Sequence, residues 1–176
     1  MLKIKAGDLE KLNLLYYRYS RRMFGFFYRM THDGSSSEDL VQNVFMRVLK
    51  YKHTYSDTGQ FESWLFQLAR NVHHDHYRKS KRYSWQEDMS EWESHLQESN
   101  NVETRKEKEE EMSMLMQALD SLSPEKKELI ELTRFQRMKY GDVANMLNIT
   151  ESAVKVRVHR VLKELREKYL QLELSN

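Results

Sequence analysis

The sequence contains no cysteine, a single proline and only five glycines among its 176 residues. The absence of cysteine excludes disulfide bonds, thiolate zinc sites and a cysteine nucleophile. A chain so poor in glycine and proline is atypical of all-β or loop-rich proteins, which need these residues in their turns. The composition therefore favours an all-α fold of one mid-sized domain or two small ones.

Long apolar runs are also lacking. No stretch approaches the length of about 18 apolar residues that suggests a membrane-spanning helix. The first residues, MLKIKAGDLEKLN, are too charged for a secretory signal peptide. We therefore expect a cytoplasmic protein with no membrane insertion.

The charge is nearly balanced overall, at +2, but it is unevenly placed. Residues 1–80 carry 13 Lys and Arg against 8 Asp and Glu, and residues 112–176 carry 11 against 9. Residues 81–111 carry 5 against 10. Two basic blocks flanking an acidic one are typical of two nucleic-acid-facing domains joined by a linker that does not contact phosphate.

The first basic block has apolar residues at helical spacing in three stretches. We expect helices over residues 8–31, 39–51 and 61–79, and Ser35 with Glu38 has the spacing of a capping box before the second. The residues expected in the core are Leu9, Leu12, Leu15, Tyr16, Tyr19, Met23, Phe26 and Phe27, then Leu40, Val41, Val44, Phe45, Val48 and Leu49, and then Phe61, Trp64, Leu65, Leu68, Ala69 and Val72.

The periodicity fades in the acidic block, where Ser, Glu, Asn and Gln dominate. We interpret residues 81–105 as a flexible linker with transient helix around Trp85 and Trp92. The run EKEEE at 107–111 suits the acidic first turn of a following helix. The predicted division is thus a first domain at 1–80, a linker at 81–111 and a second domain at 112–176.

The second domain is predicted to contain four helices. Ser123 and Pro124 have the N-cap and first-position identities that start a helix. The preceding helix is expected to end with the apolar residues Leu115, Leu119 and Leu122. The helix that starts at Pro124 is expected to face Leu129, Leu132 and Phe135 inward.

Residues 140–169 predict a short helix, a tight turn and a longer basic helix. Tyr140, Val143, Ala144 and Leu147 share one face of the first helix, Asn148 is a turn residue, and Thr150 suits an N-cap. The second helix has an apolar face of Val154, Val158, Val161, Leu162 and Leu165. This pattern indicates a helix-turn-helix whose second helix enters a DNA major groove, and the alternative is a helical hairpin with a solvated basic face.

Three motifs in order give the chain a family resemblance. They are DLVQNVFMRVLKY at 39–51, FESWLFQLARNVHHDHYRK at 61–79, and the segments ALDSLSPEKKELIEL and YGDVANMLNITESAVKVRVHRVLKELR at 118–132 and 140–166. Over nearly its full length the chain resembles a bacterial RNA polymerase sigma factor of the extracytoplasmic-function (ECF, group IV) type. It departs from the family pattern at Asn43, at Gly141-Asp142 and at Ala153-Val154.

The resemblance implies a protein that binds core RNA polymerase, through the β′ clamp helices and the β subunit, and directs it to promoters. It implies contacts with double-stranded promoter DNA at the −35 element and with double- and single-stranded DNA at the −10 element. It also implies an anti-sigma factor as a partner. We expect no enzymatic activity, cofactor or metal, because the polymerase supplies the catalysis.

The resemblance assigns a role to the exposed side of each motif helix. The residues implied to bind core polymerase are Asp39, Gln42, Asn43, Met46 and Arg47. The residues implied to bind the −10 element are Tyr55, Asn71, His74, Asp75, Arg78 and Lys79. The residues implied to bind the −35 element are Ser152, Lys155, Val156, Arg157, His159 and Arg160.

Residue chemistry is compatible with these roles. Capture of unstacked bases uses aromatic faces, amides and nearby cations, and Tyr55 and Asn71 supply the first two. Tyr55 can either stack on a base or form a wall of the pocket that holds it. Arginine commonly contacts guanine in the major groove, and Val156 suits a thymine methyl group. Without the family, Asn71 is an ordinary helix-surface residue and Tyr55 a loop aromatic folded onto the core.

Two other functions fit parts of the sequence. The run His73-His74-Asp75-His76 offers metal ligands, but only His73 and His76 are neighbours on a helix. We therefore expect these residues to be polar groups on the DNA-facing side rather than an enzyme's metal site. A stand-alone dimeric helix-turn-helix regulator is the second alternative, and it does not account for the aromatic and amide residues at 55–79.

Overall fold

The computed structural model describes residues 1–56, 60–83 and 102–174, with side chains for 1–56, 60–80 and 110–174. The chain divides into two compact units, Met1–Ser90 and Glu91–Asn176. Every regular element in the described residues is helical, which confirms the predicted all-α fold. Trp85, Trp92 and the rest of 84–101 lie outside the described residues.

The first unit is built on three long helices. Its elements are α1 (Leu2–Lys5), α2 (Lys11–Thr31), α3 (Gly34–Lys50), a 3₁₀ turn (Lys52–Thr54) and α4 (Phe61–Tyr83). Helix α3 packs against both α2 and α4. The core between them includes the fully buried side chains of Met23, Phe26, Phe27, Val44, Val48, Leu65 and Phe66.

Helix α3 begins earlier than the sequence predicted. The Asp33 side chain accepts hydrogen bonds from the backbone N–H groups of Ser35 (3.1 Å) and Ser36 (3.3 Å), so Asp33 is the N-cap. The predicted capping box of Ser35 and Glu38 is therefore wrong, because the helix already includes Gly34.

The predicted core face of the first helix is only partly confirmed. Tyr19 and the three residues Met23, Phe26 and Phe27 are buried, whereas Leu9 is 54% exposed and Tyr16 is 39% exposed. Leu9 precedes helix α2, which starts at Lys11, so helical periodicity does not extend to it.

The second unit contains the predicted helix-turn-helix. Its elements are α5 (Val102–Asp120), α6 (Pro124–Ile130), a π-helical turn (Glu131–Phe135), α7 (Tyr140–Leu147) and α8 (Glu151–Glu173). Helices α5, α6 and α7 all pack against α8. Because α4 continues to Tyr83 and α5 begins at Val102, both ends of the predicted linker at 81–111 are helical.

The π-helical turn alters which side chains face inward. The backbone N–H of Gln136 donates to the Glu131 carbonyl at 2.9 Å, five residues back, so this turn is wider than an α-helical turn. Gln136 is consequently buried, and its Nε2 donates to Glu131 Oε1 at 2.8 Å. The prediction that Phe135 faces inward is wrong, since this ring is 38% exposed.

Candidate polymerase and nucleic-acid interfaces

The outer side of α3 is a mixed polar and apolar surface. Asp39, Gln42, Asn43 and Met46 are exposed, and Met46 is 67% exposed, although methionine side chains are usually buried. A groove of about 430 Å³ lies beside this surface, between α2 and α3, and includes Gln42 in its lining. An exposed methionine among uncharged amides suits contact with another protein better than contact with phosphate.

Arg47 lies apart from that exposed surface. Its side chain is 26% exposed, and its Nη2 lies 2.7 Å from Asp75 Oδ2 on α4. Its Nε also donates to Asn43 Oδ1 at 3.2 Å. Arg47 therefore joins α3 to α4 and is less available to a partner than its position in the motif suggested.

The outer side of α4 carries the residues assigned to the −10 element. Asn71, His74, Arg78 and Lys79 are exposed over two turns of the helix. Asn71 Oδ1 accepts a hydrogen bond from Gln67 Nε2 at 3.3 Å, which orients the amide along the helix surface. An amide, an imidazole and two cations on one exposed side are suited to bases and phosphates.

Asp75 lies at the centre of this surface but binds other protein groups. Its two carboxylate oxygens accept hydrogen bonds from Arg47 and from Arg78. The bond from Arg47, followed by that from Arg78, holds the pKa of Asp75 below its ordinary value. An ionised carboxylate repels phosphate, so its contribution here is to orient the Arg78 guanidinium.

Tyr55 is buried rather than presented to solvent. It is 7% exposed, and its ring centroid lies 5.9 Å from that of Phe61 and 5.5 Å from that of Trp64. Both neighbouring rings and the core cover the Tyr55 ring in this structure, and its contact with a base stays a prediction. The alternative, a loop aromatic folded onto the core, is the arrangement observed.

The histidine run does not form one surface. His73 is 8% exposed and packs edge-on against Phe26, with ring centroids 6.4 Å apart, so the expectation that it faces DNA is wrong. His74 is exposed and His76 is half-buried. Within the described residues, no group of three or more His, Asp and Glu side chains is arranged to hold a metal ion.

The helix-turn-helix follows from local backbone chemistry. Asn148 ends α7 in the left-handed region, with φ of 52°, and Thr150 Oγ1 accepts a hydrogen bond from the backbone N–H of Ala153 at 3.1 Å. Asparagine tolerates this conformation and threonine is a good N-cap. Helix α7 packs against α8. The buried residues of the two helices are Val143 and Ala144 on α7 and Val154, Val158, Val161 and Leu165 on α8.

The opposite side of α8 is exposed along its first three turns. All six residues assigned to the −35 element are exposed: Ser152, Lys155, Val156, Arg157, His159 and Arg160. Val156 is an exposed apolar residue among cations, at 49%. Lys155 Nζ lies 2.8 Å from Glu151 Oε1, and this hydrogen bond raises the pKa of Lys155.

Comparisons with known protein families match both units. The model of Sigma-70 region 2 matches residues 15–83, and that of Sigma-70, region 4 matches residues 112–165. The chain belongs to the sigma-70 family, as an ECF-type RNA polymerase sigma factor. It therefore acts in promoter-specific transcription initiation by RNA polymerase, and the dimeric regulator is not favoured.

Relatives of this sigma factor align along most of its length. It is 27% identical to RNA polymerase sigma factor CarQ of Myxococcus xanthus over 99% of this chain and 98% of that protein. It is 29% identical to ECF RNA polymerase sigma factor SigX of Bacillus subtilis over 90% of this chain and 83% of that protein. Alignments of this extent include both sigma regions.

Solved structures share the fold of this sigma factor. The sigma factor RpoE, solved with the anti-sigma factor NepR from Bartonella quintana, matches with a TM-score of 0.72, 21% identity, 89% of this chain and 94% of that chain. CnrH, solved with the cytosolic domain of CnrY, matches with a TM-score of 0.70, 17% identity, 99% of this chain and 96% of that chain.

The exposed residues assigned to the −10 element therefore lie on α4 in region 2, and those assigned to the −35 element lie on α8 in region 4. Sequence reasoning missed the role of Arg47 in holding Asp75, because the two residues are 28 positions apart and share no local pattern. Among the described residues, no helix is both long enough and apolar enough to span a bilayer.

Proposed function

We propose that this sigma factor docks on core RNA polymerase through the exposed side of α3, at the clamp helices of the β′ subunit, with a further contact to the β subunit. The observation that carries the α3 assignment is the exposure of Asp39, Gln42, Asn43 and Met46 on one helix that matches Sigma-70 region 2. Arg47 supports this site indirectly, because its hydrogen bond to Asp75 holds α3 against α4.

Region 4 reads the duplex −35 element with α8. The helix presents Ser152 and Lys155 near its N-terminus, where backbone donors also favour phosphate. Arg157, His159 and Arg160 follow on the exposed side, and Val156 provides the apolar contact that suits a thymine methyl group. Lys163 and Arg166 lie further along the helix and contact phosphates or remain solvated.

Region 2 reads and melts the −10 element with α4. Asn71 and His74 contact base edges, while Arg78 and Lys79 hold the nearby phosphates. Asp75 is a positioning residue that orients Arg78. Tyr55 contributes as a buried support beneath this region, since its ring packs on Phe61 and Trp64 at the start of the helix.

A protein inhibitor is the expected regulator. Two related folds were solved with protein partners, one named as an anti-sigma factor and one as the cytosolic domain of CnrY. An anti-sigma factor that covers the exposed side of α3 or α8 would prevent polymerase or promoter binding. The chain itself performs no catalysis in this proposal, because nucleotide addition and its metal ions belong to the polymerase.

Run-off transcription tests the function directly. Purified core polymerase is incubated with fragments of genomic DNA, with and without the full chain, and transcript ends are sequenced. We expect discrete start sites that require the chain and share two spaced elements upstream. Transcription that is unchanged by the chain, or a symmetric footprint on DNA without polymerase, would contradict the proposal.

A further inference from the structure

The first residues of the chain are packed into region 2 although no sequence motif includes them. Helix α1 comprises only Leu2–Lys5, yet Ile4 is fully buried. The helix contacts both α2 and the 3₁₀ turn Lys52–Thr54. The chain start is therefore fixed against the loop that leads into the −10 helix.

Two lysine hydrogen bonds connect α1 with this loop, one donated by α1 and the other donated by the loop. Lys5 Nζ donates to the Tyr55 carbonyl at 2.8 Å, and Lys52 Nζ donates to the Ile4 carbonyl at 3.4 Å. Both contacts are partly buried and join residues about 50 positions apart. A charged donor on a partly buried carbonyl makes a stronger bond than a neutral pair.

The same loop is held from its other side by α4. The Tyr55 ring packs on Phe61 and Trp64, and Trp64 Nε1 donates to Thr54 Oγ1 at 3.3 Å. The backbone of Tyr55 is thus fixed by α1 while its side chain is fixed by the first turn of α4. Tyr55 therefore connects α1 with the start of the helix that carries Asn71.

We propose that Lys5 and Lys52 latch α1 onto the 52–56 loop and that Lys5 is a positioning residue for promoter melting. This inference rests on the proposed function of α4. Capture of an unstacked base requires a surface that is already in place, since motion in the surface adds to the barrier. The latch removes that motion without contacting DNA itself.

The test compares Lys5→Met with Lys3→Met in reconstituted holoenzyme. Lys3 is an exposed lysine on the same helix, so its variant removes the same charge from the same region. Lys5→Arg retains a charged donor of similar reach, and Lys52→Met breaks the reciprocal contact. Closed-complex affinity, the rate of open-complex formation by permanganate reactivity, and thermal unfolding are measured on a promoter recovered by run-off transcription.

We expect Lys5→Met and Lys52→Met to slow opening about threefold to tenfold while closed-complex affinity stays within about twofold. Lys5→Arg should recover most of the rate, and a promoter with a pre-melted, mismatched −10 bubble should restore Lys5→Met. Equal opening rates for Lys5→Met and Lys3→Met would overturn the inference. So would a loss of closed-complex affinity in Lys5→Met but not in Lys3→Met, which would make Lys5 a DNA contact.

The wild-type reaction separates this inference from the proposed function. If wild-type holoenzyme gives no open complex on any fragment, the assignment of α4 to the −10 element fails. If it opens the promoter and Asn71→Ala slows it, but Lys5→Met does not, only the latch is overturned.

Discussion

Arg47 on α3 and Asp75 on α4 form a partly buried ion pair in which Arg47 Nη2 lies 2.7 Å from Asp75 Oδ2. The pair joins the helix proposed to bind polymerase to the helix proposed to read the −10 element. Arg78 binds the second oxygen of the same carboxylate. One aspartate therefore sets both the spacing of two helices and the direction of a cation on the DNA-facing side.

The first prediction concerns pH and the stability of region 2. Because hydrogen bonds from Arg47 and Arg78 lower the pKa of Asp75 in the folded state, its carboxylate stabilises the fold above its unfolded pKa, near 3.8. This contribution is lost as the pH falls from about 4 through the lower folded pKa. Asp75→Asn should reduce the free energy of unfolding by about 1 kcal/mol at pH 7, since the pair is partly exposed.

Urea denaturation of the full chain between pH 3 and pH 7 checks this prediction. The difference between wild type and Asp75→Asn should shrink below about pH 4. Asp8→Asn makes the same substitution at an exposed carboxylate of the same unit and is the matched control. A constant difference at all pH values would mean that the charge on Asp75 is not what stabilises the pair.

The second prediction tests the polymerase-binding side of α3. Asp39→Lys combined with Gln42→Ala should weaken association with core polymerase, because both side chains are exposed on the docking helix. The isolated double variant should retain the helical content of the wild type by circular dichroism. Association is measured by native gel shift of core polymerase with labelled sigma factor.

A matched control uses Asp8→Lys with Asn13→Ala, which makes the same charge reversal and removes a similar amide at exposed residues outside α3. If the α3 double variant and the control both bind core polymerase with wild-type affinity, the polymerase interface must lie elsewhere on region 2.

The third prediction separates base reading from phosphate binding on α8. Arg160→Ala should lower affinity for a −35 element by about 1–3 kcal/mol and relax the preference at one base pair. Lys155→Ala should do the same to a smaller extent, because Lys155 also pairs with Glu151. Lys163→Ala should weaken binding evenly across sequences and reduce the dependence on salt.

Competition binding against a library of −35 sequences at two salt concentrations distinguishes these effects. If Lys163 controlled the sequence preference and Arg160 did not, the register assigned to the exposed side of α8 would be wrong.

The fourth prediction separates promoter melting from docking. Asn71→Ala should leave closed-complex formation nearly intact and slow open-complex formation about tenfold, because a base captured after unstacking loses an amide partner. A pre-melted −10 bubble should restore much of the rate. Permanganate reactivity of thymines near the start site measures both templates.

Asn13→Ala, which removes an exposed amide on α2, is the control and should not slow opening. Tyr55→Phe keeps the packed ring and should open promoters at the wild-type rate, in keeping with the burial of Tyr55. An Asn71→Ala variant that opens promoters normally would place the base pocket elsewhere on region 2.

The fifth prediction concerns backbone strain before the helix-turn-helix. Arg137 adopts φ of 54°, a left-handed conformation that is unfavourable for a residue with a long side chain. Arg137→Gly should therefore raise the free energy of unfolding by about 1 kcal/mol. Asn148→Gly, at φ of 52°, should have a smaller effect because asparagine tolerates this region. Urea denaturation of both variants checks the difference, and equal effects would contradict the argument.

The strongly periodic helices were predictable because their buried residues are close in sequence. The apolar faces of α4 and α8 read directly from the spacing of Leu65, Val72, Val154 and Val161, all of which are buried. The start of α3 was missed because its first turn, Gly34-Ser35-Ser36, resembles a loop. Its helical conformation depends on the hydrogen bonds that the Asp33 side chain accepts from the Ser35 and Ser36 backbone.

Contacts between distant residues had no local signal. The Lys5–Tyr55 and Arg47–Asp75 contacts join residues 50 and 28 positions apart, and periodicity reports only which side of a helix is apolar. The inward orientation assigned to Phe135 failed for a different reason. Helical spacing from Leu129 and Leu132 assumes regular α-helical turns, and the π-helical turn breaks that assumption.

The π-helical turn at Glu131–Phe135 affects how region 4 tolerates the loss of a residue. A π-helical turn contains one residue more than an α-helical turn, so the helix begun at Pro124 already accommodates a local insertion. Deleting Arg134 would allow the segment to return to regular α-helical geometry, because Gln136 would then follow Glu131 by four residues and could keep its present bond to the Glu131 carbonyl. Region 4 should therefore accept a one-residue deletion here more readily than in α7 or α8.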